Sequence, residues 1–241
     1  MRLNRYLAFC GVASRRGAMT VVLAGRVQVN GHIILDPGQE VICGADRVKV
    51  DGEDVRAPGC WVYHAFYKPR GVVVSARDEL GREGLQPYLR RMREHVFPVG
   101  RLDRNSEGLL LLTNHGKLGH ALLHPSCEIE KLYLVTVAPR PRPWQLARVA
   151  GGVPIGQGEY SGPVQVRVKR ADRKGAVLRL TLTEGKKREI RRICQAVGLR
   201  VLRLRRVSFA GVRLQGLEPG KHRPLNPEEV AGLKALTGLE L

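Results

Sequence analysis

Acidic side chains are scarce in this 241-residue sequence, where 22 Asp plus Glu stand against 41 Lys plus Arg for a formal net charge of +19. Such an imbalance argues against an ordinary near-neutral enzyme acting on a small uncharged substrate and makes a polyanion the expected partner. No apolar run approaches the roughly eighteen residues of a membrane span. The opening MRLNRYLAFCGVASRR is basic, but its apolar pieces are short and broken by charge and glycine, so it does not read as a secretory signal. Paired cysteines are lacking too: Cys10, Cys43, Cys60, Cys127 and Cys194 are odd in number and scattered, with no CxxC. Reduced thiols in a cytoplasmic protein are expected. Cofactor loops are also missing, since GQG at 156–158 is not continued as GxGxxG and no GxxxxGK occurs. His120 and His124 lie at helical spacing, but Ala121 stands where HExxH requires Glu. Neither a metal nor a cofactor is expected.

What is present is a soluble, globular pattern, 43% hydrophobic, long enough for one large domain or two modest ones. Residues 1–60 carry a net charge of only +2, leaving +17 for the remainder. Leu3, Leu7 and Ala8 follow helical spacing, Ser14 can cap a second helix starting at Arg15, and Gly25 can end it. Short alternating runs follow around Val27–Val29 and Arg47–Val50, with Asn30-Gly31 as a hairpin turn. This predicts a small two-helix and sheet module over 1–56, a linker over 57–61 containing Pro58-Gly59, and a second domain over 62–241.

In that second part, strand-like runs occur at WVYHAFY, GVVVSA, LLLLT, LYLVTVA, VQVRVKR, VLRLTLT and VLRLRRV. Helices are predicted at 84–94, 117–123, 143–150, 188–197 and 227–236, the last behind Asn226 with proline at its first position. The fold class is α+β, with a mixed, largely antiparallel sheet flanked by helices.

Two segments carry candidate chemistry. In GRLDRNSEGLLLLTNHG, residues 100–116, Asp103 stands between Arg101 and Arg104, with Gly100 and Gly108 allowing the backbone to bend and an apolar strand giving the loop rigid support. In residues 183–207, nine basic residues and one acid, Glu189, lie between Lys186 and Arg206. On a helix starting near Lys187, Ile190, Ile193 and Val197 share an apolar face while Arg188, Arg191 and Arg192 project elsewhere. Such a helix can dock on a sheet and present guanidinium groups to phosphates. The residues alone therefore indicate a nucleic-acid-binding protein with a carboxylate-centred site.

These segments resemble the RsuA/RluB-type pseudouridine synthases, whose signature GRLDxxS/TxGLLxxTNDG is matched at 100–116 and whose EGxxRxVRRMxxAVGxxVxxLxR is matched at 184–206. YHAFYKPRGVVVS is similar to the family's KPxGxxxS stretch and HPSCEIEKLYLVTV to its HPSxxxxKxYxV stretch. RLNRYLAFCGVASRRGAMTVVLAGRVQVNG resembles the small RNA-binding module named after the fourth small-subunit ribosomal protein. Departures are His115 for the usual Asp, Lys187 for Asn, and Gly17 for an acidic residue.

The resemblance implies conversion of a uridine in RNA to pseudouridine: the glycosidic bond breaks, the base turns, and carbon five bonds to the sugar, without redox chemistry or external energy. It implies Asp103 as the catalytic carboxylate, attacking the anomeric carbon or assisting elimination to a glycal. Arg191 would hold that carboxylate ionised, and Tyr133 would stack on the turned base and assist proton loss. Arg101 would fill the space of the extruded base or touch its phosphate. Lys68, Lys186, Arg188 and Arg192 are expected to contact RNA, as are Arg15 and Arg16 of the first module, where Arg2, Arg5 and Arg26 add to a basic cluster. The expected substrate is ribosomal RNA, free or in an assembling subunit, with the large-subunit (23S) RluB branch nearest and the small-subunit (16S) RsuA type as the alternative. A ribosome-assembly factor that binds without turnover is a reading from another class, and a DNA-binding regulator is a third, for which no helix-turn-helix is apparent. A monomer is expected, with no membrane partner.

Overall fold

The computed structural model describes residues 1–74 and 83–239. In its first unit, α1 (Leu3–Phe9) and α2 (Arg15–Leu23) share a core in which Leu3, Tyr6 and Leu7 meet Ala18 and Val22. Ser14 Oγ accepts the Gly17 N–H at 3.1 Å, capping α2 where the sequence predicts. An antiparallel sheet follows, ordered β2-β1-β3-β4, from β1 (Val27–Val29), β2 (His32–Ile33), β3 (Val48–Val50) and β4 (Glu53–Val55). Asn30 and Gly31 both take positive φ, +52° and +87°, as a tight two-residue hairpin turn requires.

The second unit runs through β5 (Tyr63–Lys68), α3 (Gln86–Leu89), β6 (Phe97–Val99), β7 (Glu107–Thr113), α4 (Gly116–Ala121), β8 (Lys131–Ala138) and α5 (Pro143–Gly151). It continues with β9 (Pro154–Gly156), β10 (Glu159–Tyr160), β11 (Gln165–Ala171), β12 (Ala176–Leu182), α6 (Glu189–Ala196), β13 (Arg200–Phe209), β14 (Val212–Arg213), β15 (His222–Pro224) and α7 (Pro227–Thr237). The main sheet is ordered β11-β12-β8-β13-β7-β5-β15, mixed because β13 runs parallel to β7 while the other neighbours are antiparallel. At the head of α7 the Asn226 side chain accepts from Glu229 N and the Glu229 carboxylate from Asn226 N, a reciprocal cap. The helix expected over 84–94 is shorter: beyond Leu89 come three arginines in four residues, and like charges on successive turns oppose its continuation. Part of the expected strand GVVVSA lies outside the described residues. No helix among those described is long and apolar enough to cross a membrane.

The sheet has two differently packed halves. Strands β8, β11, β12 and β13 with α5 and α6 form a β-α-β-β-α-β pattern, and Val135, Val137, Leu178, Leu180 and Leu204 meet Ile190 and Ile193 of α6 in one core. In the other half both faces are covered: Ala65, Leu109 and Leu111 pack with Leu118 of α4 and Leu233 of α7, and Phe66, Leu110 and Leu112 with Leu85 and Val96. The halves join through only two register pairs, Arg205 with Glu107 and Arg206 with Gly108. At that seam Gly108 has φ +106°, and a Cβ there would stand 2.2 Å from the Arg206 carbonyl oxygen. Gly108→Ala is therefore expected to cost about 3 kcal/mol or more, through backbone strain and separation of the strands. Denaturant unfolding checks this, and a midpoint shift worth under about 1 kcal/mol would show that the seam yields easily.

The two units touch through an aromatic stack. Phe9 of α1 lies 4.8 Å from Trp61, and Trp61 stacks on His115 at 4.1 Å between ring centroids. His115 leads into α4 without a side-chain cap; its ring is stacked and its Nδ1 lies 3.2 Å from the Tyr63 hydroxyl. His115, a departure from the signature matched at 100–116, thus takes part in the contact between the units.

Candidate active site

Asp103 sits on the loop between β6 and β7, and that loop is strapped to the chain leaving β5. Gly71 N donates to Arg104 O at 2.8 Å and Arg104 Nε returns a bond to Gly71 O at 3.2 Å. Beneath them Lys68 is fully buried, and its Nζ donates to Pro69 O at 2.8 Å, Ser106 O at 2.7 Å and Arg104 O at 3.4 Å. Lys68 is thus an internal strut and not an RNA contact, which corrects the expectation from sequence. Burial pulls its ammonium down to about 8, with Asp103 and then Glu107 acting in the opposite direction.

Lys68→Met would leave those carbonyls without their donor and is expected to destabilise the fold by about 2–4 kcal/mol at pH 7. Because Lys68 titrates lower in the fold than in the unfolded chain, the unfolded state binds more protons between about pH 8 and 10.5. Wild-type stability attributable to this group therefore rises across that window, and the gap to Lys68→Met widens. Urea unfolding at pH 7 and pH 9.5 reads both effects, and a gap that narrows would contradict the strut.

Arg191, in the first half of α6, reaches across to the Asp103 loop. Its Nη2 donates to Asn105 O at 3.0 Å, and its Nε stands 3.8 Å from Asp103 Oδ2. That is an ion pair and not a hydrogen bond. The Arg191 side chain is 16% exposed and that of Asp103 32%. Neither carboxylate oxygen of Asp103 accepts a hydrogen bond from the described residues, and Arg191 Nε is buried without an acceptor. Burial lowers the Arg191 pKa while Asp103 raises it; a guanidinium remains charged regardless. A carboxylate held near a desolvated cation with both oxygens open can accept a proton or attack carbon.

Tyr133 lies on β8, half-buried against the core beneath α6. Its register partner is Arg206, Arg206 pairs with Gly108, and Gly108 with Lys68, so one row crosses the sheet from Tyr133 to the strut under Asp103. Arg206 closes the basic run that begins at Lys186, and a run of one sign suggests a solvent-facing surface. Instead it is buried at the seam, with Nε on Leu109 O at 2.8 Å, its guanidinium 4.8 Å from the Phe209 ring centroid, and Nη2 unpartnered among the described residues.

The basic segment divides further. Arg192 was expected to face outward; it is tied down by Glu159 at 2.6 Å, Ile155 O at 2.6 Å and Gly156 O at 2.9 Å, joining α6 to the β9-β10 hairpin. Lys186 is engaged by Glu184 at 2.7 Å and Tyr160 O at 2.6 Å. Arg188 is exposed, but it precedes the helix in left-handed conformation, φ 52°. Glu189, the segment's single acid, is buried at the start of α6 and pushed up to about 7 by burial first and by Glu184 second. Arg101, and Arg15 and Arg16 in the first turn of α2, are exposed. Cations at a helix N-terminus oppose its dipole, so the last pair adds nothing to the helix it begins. Arg26, expected in the same basic cluster, is paired with Asp51 at 2.5 Å. Among the described residues no cluster of three or more His, Cys, Asp or Glu could hold a metal ion.

A pair of short helices on a small sheet, followed by a mixed sheet with a carboxylate-bearing loop across a seam from an arginine helix, has the organisation of an RNA pseudouridine synthase with an added RNA-binding module. Comparison with known proteins agrees. Residues 62–196 match the RNA pseudouridylate synthase family and residues 1–41 the S4 domain. The chain is 37% identical over 237 residues to the ribosomal large subunit pseudouridine synthase B of Bacillus subtilis, covering 98% of this chain and 96% of that one. It is 38% identical to an uncharacterised RNA pseudouridine synthase of Aquifex aeolicus, covering 100% and 96% respectively. A crystal structure of a pseudouridylate synthase superposes with a TM-score of 0.68 at 27% identity, over 97% of this chain and 99% of that one. The chain belongs to the RsuA/RluB family of pseudouridine synthases.

Proposed function

We propose that this enzyme isomerises one uridine of large-subunit ribosomal RNA, with Asp103 as the reacting carboxylate. The observation that carries the reading is the Asp103 carboxylate facing Arg191 at 3.8 Å with both oxygens free of protein donors among the described residues. As a nucleophile Asp103 bonds to the anomeric carbon while the base leaves with the bonding pair; as a base it takes a sugar proton and a glycal forms. In the first route the freed uracil turns and its carbon five displaces the Asp103 carboxylate from the anomeric carbon. In the second it adds to the anomeric carbon of the glycal while Asp103 returns the proton to the sugar. In both, carbon five then releases its own proton as the ring nitrogen that left the sugar gains one. Arg191 favours the ionised carboxylate that either route needs, and Tyr133 offers a ring to the turning base and a hydroxyl to the departing proton. The uridine must leave its stack to reach the loop. Arg101 is exposed two residues before Asp103 and meets the uridine there, and Arg188, Arg15 and Arg16, also exposed, hold flanking phosphates in this reading. The large-subunit target is supported by the name of the Bacillus relative.

Mapping pseudouridines in ribosomal RNA from cells with and without the gene tests the proposal. One position missing from large-subunit RNA is the expected result. A missing position in small-subunit RNA would move the target, and an unchanged map would refute ribosomal RNA as the substrate.

A further inference from the structure

Helices α5 and α6 cover one face of β11-β12-β8-β13, and the opposite face bears a row of arginines. Register places Arg167 of β11 beside Arg179 of β12, Arg179 beside Leu134 of β8, and Leu134 beside Arg205 of β13. At about 4.8 Å per strand the row is roughly 14 Å long. Like charges directly opposite each other destabilise a sheet, and Arg167 with Arg179 is such a pair. Among the described residues neither of these arginines, nor Arg205, forms a hydrogen bond or ion pair through its side chain. Arg179 and Arg205 open on a cleft of about 610 Å³ whose wall also carries Arg213 and half-buried Leu132, with one acid, Glu130. Tyr133 and α6, which bears Arg191, lie on the other face of these strands.

We infer that this open face is a second RNA-binding surface, which takes the phosphodiester backbone of an RNA segment other than the one holding the reacting uridine. The inference rests on the reading of the chain as an enzyme of RNA. Guanidinium forks at strand spacing suit a run of phosphate oxygens, and a single acid against three arginines leaves the cleft complementary to a polyanion. A bound strand would also relieve the repulsion that the unliganded register builds in.

The test compares the wild type with the triple variant Arg167→Gln, Arg179→Gln, Arg205→Gln. Binding of unmodified, deproteinised ribosomal RNA is measured across a salt series, with pseudouridine formation by the wild type recorded on the same RNA. The variant is expected to bind at least tenfold more weakly at 0.15 M salt, with a salt slope smaller by about 2 to 3. The matching triple lysine variant should keep most of the affinity and slope, and thermal melting should show neither variant less stable than the wild type. Wild-type affinity and slope in the glutamine variant would overturn the inference. So would a loss seen only with protein-containing ribosomal particles, which would make the occupant a protein. If the wild type neither binds nor modifies the RNA, the underlying reading of an RNA enzyme fails instead.

Discussion

Asp103→Asn is expected to bind RNA within a few-fold of the wild type while its single-turnover rate falls by about a thousandfold or more. The amide keeps the shape of the side chain, so the turn that Asp103 closes with Ser106, an N–H to carbonyl bond of 3.0 Å, has no reason to open. What is lost is a negative charge with open lone pairs, and neither nucleophilic attack nor proton removal survives without it. Release of tritium from carbon five of labelled uridine in RNA reports the rate, and filter binding reports the affinity. A variant retaining a tenth of the wild-type rate would end the assignment of Asp103 as the reacting group.

Arg191→Ala should show the same kind of split with a smaller loss, about a hundredfold in rate against a few-fold in affinity. Arg191 is mostly shielded from solvent and is the cation paired with Asp103; removing it leaves the carboxylate without that partner and frees the Asn105 carbonyl as well. Its neighbours on the segment provide the contrast. Arg188→Ala should weaken cognate and scrambled RNA alike and lower the salt slope by about 0.7–0.9. Arg192→Ala should instead lower stability, because its partners are all protein groups, three of them on the β9-β10 hairpin and the fourth the Lys187 carbonyl. If all three variants lost affinity in parallel and kept their rates, the ion pair across the seam would have no catalytic meaning.

How far these roles could be read from sequence depends on what fixes each side chain. The α6 face was legible because Ile190, Ile193 and Val197 recur at helical spacing, and all three are buried. The Asp103 loop was legible because flanking glycines and a run of leucines mark a bend before a core strand. Lys68 was not legible, since a lysine beside Pro69-Arg70 has the composition of a surface; its burial depends on carbonyls 36 and 38 residues away. Arg192 escaped for a similar reason: the strands that capture it have three and two residues, too short to leave a period. Arg206 looked like its exposed neighbours because nothing local announces that β13 meets β7 there. The last residue of YHAFYKPRGVVVS, a stretch that helped to mark the family, lies outside the described residues.

The seam also sets an order of events during synthesis. Arg191 bonds 86 positions back, to Asn105, and β7 has no neighbour on its β13 side until residues 205 and 206 have emerged. At about 5–20 residues per second, the carboxylate loop waits about 4 to 17 seconds for its cation. During that interval the nascent chain already carries the residues that match the S4 domain, with Arg15 and Arg16 exposed in the finished fold, so under the proposed function it holds RNA before it can act on it. A chain released early, short of α6, would be a binder without chemistry and would compete with the finished enzyme for the same RNA.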